Sequence, residues 1–118
     1  WNNIITFTNP DFYQLNVSLE SDTMFRQKRF PDNNFTVTTA QSGEITDVLV
    51  DISTPPKGYQ LFHLNAEIIF KMSGKLTMKL SGALRNMLNT SYRNYLNRLR
   101  YYADETGRNF LFSLKLNY

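Results

Sequence analysis

The chain has 118 residues, a length that suits one domain, with 42% hydrophobic residues and a mean hydropathy of -0.41. No run approaches the roughly 18 apolar residues of a spanning helix, although the half-apolar strands of a membrane barrel escape that test. The net charge of +3 comes without a dense basic block, which argues against nucleic acid as a partner, and the absence of cysteine excludes disulfides, thiol catalysis and thiolate metal sites.

The chain opens on Trp1 without Met or a signal peptide and reads as a mature chain or a fragment of one. WNNIITFT places Trp1, Ile5 and Phe7 on one face, with Asn3 breaking the pattern. Asn9-Pro10-Asp11 has the chemistry of a tight turn. Tyr13, Leu15, Val17 and Leu19 then alternate with Gln14, Asn16, Ser18 and Glu20, the period of a strand, and this strand is expected to run on to about Phe30. Residues 31–57 are largely polar, with ITDVLVDI as a short strand or hairpin arm. Further on, Phe62, Leu64, Ala66, Ile68 and Phe70 share a face opposite His63, Asn65 and Glu67. MSGK turns the chain at Gly74. Leu76, Met78, Leu80, Gly82 and Leu84 resume the alternation against Thr77, Lys79, Ser81 and Arg85. Leu88, Tyr92, Tyr95, Leu96, Leu99 and Tyr102 recur at three and four, which predicts a short helix near 91–101. NFLFSLKLNY closes the chain as a strand with Phe110, Phe112, Leu114, Leu116 and Tyr118 on one face.

Short connections (9–11, 71–74) alternate with long ones (31–57, 89–106). In an up-and-down sheet this gathers all the long ones at one end, the plan of an outer-membrane barrel. Lys75, Lys79, Arg85 and Lys115 all lie opposite the apolar side chains. A half-exposed soluble sheet shows similar alternation, so the pattern leaves lipid and a protein core both open. About five long strands and one short helix provide no second layer to cover the apolar face.

From Leu84 onward the sequence resembles the end of a TonB-dependent outer-membrane receptor. The pattern V-x-N-L-x-N-x-x-Y stands here as Leu84-Arg85-Asn86-Met87-Leu88-Asn89-Thr90-Ser91-Tyr92. It is followed by Tyr95 to Glu105, by Gly107-Arg108-Asn109, and by an alternating strand with a terminal aromatic. Phe25 to Pro31 and Pro55 to Tyr59 are loosely similar to preceding segments of such receptors. The resemblance implies an all-β fold in which residues 1–118 are the C-terminal portion of a barrel, its last five or so antiparallel strands, with a short helix in the final extracellular loop. The plug, the N-terminal motif and the earlier strands of the family lie outside this sequence. It implies the outer membrane of a Gram-negative bacterium and uptake of a scarce nutrient such as an iron chelate or siderophore. The implied partners are outer-membrane lipid, the rest of the barrel and plug, the inner-membrane energy coupler and the barrel-assembly machinery. That machinery would read Phe110, Phe112, Leu114, Leu116 and Tyr118 as its signal.

Arg93, Tyr95, Arg98, Tyr101 and Tyr102 are the candidate ligand contacts, since Arg offers forked donors and Tyr a stacking face. His63, the single histidine, is expected to point into a wet lumen. Asp104-Glu105 and Asp47/Asp51 are expected to be solvated loop carboxylates, and no metal, cofactor or nucleophile–base set is expected. A receptor segment, not an enzyme, is the leading expectation. A soluble all-β ligand- or protein-binding domain is the alternative.

Overall fold

The structure is a computed structural model that describes residues 1–41, 43–72 and 74–118. It is all-β. Strands β1 (Asn2–Asn9), β2 (Leu15–Met24), β5 (Tyr59–Lys71), β6 (Thr77–Arg85) and β7 (Asn109–Asn117) form one five-stranded antiparallel sheet in the order β1-β2-β5-β6-β7. Strands β3 (Phe35–Gln41) and β4 (Glu44–Val50) form a separate hairpin within the connection from β2 to β5.

The register sorts the side chains cleanly. Phe7, Val17 and Ala66 stand in line, as do Ile5, Leu19 and Leu64. Ile68, Leu80 and Leu114 continue the same face, with Phe70, Met78 and Leu116 beside them. Paired residues share a face, so the five strands present a continuous apolar band, which gives way to Asn3, Ser21, Thr23 and Gln60 toward the long-loop end. The opposite face carries Glu20, Asp22, His63, Glu67, Lys79 and Arg85. There Lys79 Nζ lies 2.6 Å from Glu67 and Arg85 Nη1 lies 3.1 Å from Glu20.

No layer formed by the described residues covers the apolar face. Leu61 and Pro55 are the only buried hydrocarbon side chains among the described residues; Leu61 belongs to the polar face and Pro55 to a loop. The Cα radius of gyration is 22.7 Å, against about 13 Å for a compact domain of this length. β1 and β7 each leave one edge unpaired.

Successive strands of the sheet are neighbours, so its connections alternate between two ends. The short links, described at 10–14, 72 and 74–76, lie at one end, and the long ones, described at 25–41, 43–58 and 86–108, lie at the other. The expected turn at 71–74 includes Ser73, and the tip of the hairpin includes Ser42; both lie outside the described residues. At the first short link Asn9 Oδ1 accepts the N–H groups of Asp11 and Phe12, the Asx chemistry anticipated there.

Two boundaries differ from expectation, and one open alternative is resolved. β2 stops at Met24 rather than near Phe30. Its partner strand begins at Tyr59, opposite Met24, and Pro55 and Pro56 just before it have no N–H to extend the ladder. The backbones press together there: a side chain on Gly58 would place its Cβ 2.8 Å from the Met24 carbonyl oxygen. In the polar stretch 31–57, ITDVLVDI takes the second of its two expected forms, a hairpin arm, with the unanticipated β3 as its partner. The helix expected near 91–101 reduces to a single 3-10 turn, Arg98–Tyr101. Asn94 and Asn97 accept the N–H groups of Leu96 and Leu99 on their side chains, and side-chain bonds of this kind compete with a helix.

Candidate functional site

The long connections meet at one end of the sheet and enclose two adjoining hollows, of about 610 and 280 Å³. Asn34 and Asp51 build one wall by capping backbone. Asn34 Oδ1 accepts from Ile52 and Ser53 at 2.9 and 3.0 Å, and Asp51 Oδ1 accepts from Ser53 and Thr54 at 3.1 and 2.8 Å. The bonds from Thr54 hold the Asp51 carboxyl below the ordinary aspartate range.

The facing wall is the 86–108 loop. Its entry is pinned by Asn86, which sits at φ 48° and both donates to and accepts from the Thr90 backbone, at 2.9 and 2.8 Å. Its exit is pinned by Asn89, whose Oδ1 accepts the Arg108 N–H at 2.9 Å. Asp104 ties the middle, accepting from Arg93 Nε at 2.6 Å and from the Ser91 hydroxyl. Those two donors hold its carboxyl below the usual value, with the Arg93 bond the larger cause. Glu105 accepts from Asn97 Nδ2 at 2.6 Å. Neither acidic pair gathers into a metal-binding group; no cluster of three His, Cys, Asp or Glu suited to a metal exists among the described residues.

Arg93, Tyr101 and Tyr102 line the larger hollow, together with Arg26, Lys57, Arg100 and Asp51. Arg93 and Tyr95 line the smaller one. Arg98 lines neither of them. The structure thus gathers four of the five candidate residues around adjoining hollows and leaves Arg98 apart. Arg100, outside that set, is central. Its guanidinium carbon lies 4.2 Å from the Tyr95 ring centre and 4.6 Å from that of Tyr101. It donates to the Tyr95 carbonyl and the Tyr101 hydroxyl, and at 3.4 Å to the Ile52 carbonyl. Tyr101 also donates to that Ile52 carbonyl. Arg100 therefore joins the two loops, while Arg26, Lys57 and Arg93 supply the positive charge around the opening. Arg26 and Lys57 reach the site only through pairing of β2 with β5, a long-range event with no local sequence signal.

His63 departs from expectation. It is buried, at 8% exposure. Nδ1 accepts the Asn86 N–H at 3.0 Å, which leaves the ring proton on Nε2, 3.3 Å from Asp22 Oδ2. Asn2 Nδ2 bridges Asp22 and Glu20 at 2.7 Å each, and Arg85 completes the row. The histidine is thus a strut between the polar face and the 86–108 loop.

Phe110, Phe112, Leu114 and Leu116 stand in line along the apolar face of the edge strand β7, and Tyr118, fully exposed, follows the strand's end. No family model, curated protein or solved structure matches the chain.

Proposed function

We propose that the chain is the closing segment of a TonB-dependent outer-membrane receptor, a transporter for a scarce, bulky nutrient such as an iron chelate. In this reading the apolar face meets lipid and the ion-paired face lines a watery lumen. The long loops lie outside the cell and the short turns in the periplasm. Further strands of the barrel pair with the free edges of β1 and β7, since an open edge is untenable in lipid. The plug, the inner-membrane energy coupler and the barrel-assembly machinery are the partners, and the work done on the ligand is translocation without bond chemistry.

The observation that carries the reading is the sheet itself: an apolar band across all five strands, giving way to Asn3, Ser21, Thr23 and Gln60 toward the long-loop end and without a covering layer among the described residues, opposite a face of paired charges. Its strands run 8 to 13 residues, close to the roughly 9–11 needed to cross a bilayer at a tilt. A soluble domain of this composition would bury that face against a second layer. The Arg- and Tyr-lined hollows at the long-loop end are suited to first contact with an anionic or aromatic ligand.

Cell fractionation and uptake test this. The protein is expected in the outer-membrane fraction, released only by detergent. Its deletion is expected to abolish accumulation of at least one radiolabelled ferric chelate under iron limitation, in a manner sensitive to collapse of the inner-membrane proton gradient. A folded monomer that stays in solution without detergent sinks the proposal.

A further inference from the structure

The β3–β4 hairpin is unaccounted for by transport. Among the described residues it pairs with nothing but itself, and no other strand or helix packs on either of its strands. A lone two-stranded hairpin is marginal in water. Proteins usually guard such edges with Lys, Pro or a bulge, yet residues 35–50 contain no Lys, Arg or Pro. Its charge is one-sided. Between Arg29 and Lys57 the only charged residues are Asp32, Glu44, Asp47 and Asp51, in a chain whose net charge is +3. The acids gather on β4 and just beyond it. On one face β4 presents Ile45, Asp47 and Leu49 in sequence, with Ile45 73% and Leu49 66% exposed.

We propose that the free edge of β4 is a docking strand for a partner protein that adds an extended basic segment to it. The added strand supplies the backbone bonds the edge lacks, a Lys or Arg opposite Asp47, and apolar side chains beside Ile45 and Leu49. Charge selects this occupant over a second copy of the chain, because two such hairpins edge to edge would bring acid against acid. The inference concerns a surface separate from the hollows and does not rest on the transport reading.

The full-length protein in detergent micelles is titrated with the capped heptapeptide TVTKTVT, which sets a Lys between two Val on one face. Backbone amide shifts report residues 44–50. The expected result is saturable shifts confined to the hairpin. Affinity should fall about tenfold for TVTETVT and be lost when alternate peptide amides are N-methylated. Asp47→Lys should reverse the preference between the two peptides without disturbing the five-stranded sheet. Equal affinity for the two peptides, indifference to N-methylation, or no shifts at millimolar peptide would each overturn the proposal, whether or not the protein proves to be a transporter.

Discussion

At the scale of residues, asparagine does much of the shaping at the long-loop end. Asn86 and Asn89 both sit in the left-handed region, at φ 48° and 55°, where Asn is tolerated better than most residues. Asn86→Ala removes two bonds to Thr90 and leaves Ala in that conformation. It should weaken the loop by about 2–3 kcal/mol, seen as faster hydrogen exchange at the Thr90 and Arg108 amides. Asp104 makes the same loop acid-sensitive. Its carboxyl is held below the ordinary value of about 3.8, so its contribution is complete above that value and is lost as pH falls through its lower, folded value. Protection of amides in residues 90–108, relative to their intrinsic exchange rates, should therefore fall below about pH 4, and Asp104→Asn should flatten that dependence. Only part of this was legible beforehand. The run of Arg and Tyr marked a loop of which Arg93, Tyr95, Tyr101 and Tyr102 stand at hollows. Arg100 was hidden among equivalent arginines, because its role depends on the Ile52 carbonyl, 48 residues away. His63 looked solvent-facing because strand alternation tells the face of a side chain but not what loop closes over it.

Among elements, alternation was the dependable signal. The five long strands lie where period-two patterning placed them, since a strand with one apolar face has a single tolerable register. Their ends were less legible, because an end depends on the partner: β2 stops where β5 begins. β3 was missed because Thr-rich alternation such as FTVTTAQ is weakly apolar and resembles a polar loop. The apolar face yields the sharpest prediction at this scale. Leu80 lies on the central part of β6, paired with Ile68 and Leu114. If its surroundings are hydrocarbon, Leu80→Arg should cost about 2–4 kcal/mol in urea unfolding from phospholipid vesicles. Ser81→Arg, one residue on and facing the other way, should change stability by less than about 0.5 kcal/mol. Equal costs at the two positions would contradict the assigned faces.

For the whole molecule, the extended sheet and its nearly absent core mark a structure organised in two dimensions. A sheet of sequential neighbours was readable from the rhythm of long and short connections. That the hairpin would pair apart from the main sheet was not, because pairing partners are a property of the assembled sheet. One feature of that assembly bears on how such a protein diversifies. Met24 and Tyr59 face each other as ladder partners, and Gly58 lets the two backbones converge beside them. The excursion between them thus starts and finishes at the same spot, whatever its contents. Loop closure depends only weakly on length, about 0.6 kcal/mol per doubling. Replacing residues 30–55 with a short Gly/Ser link should leave amide protection in the five strands unchanged while removing every hairpin signal. That outcome would make the region an exchangeable cassette, replaceable in sequence and size while the sheet that carries it keeps its register.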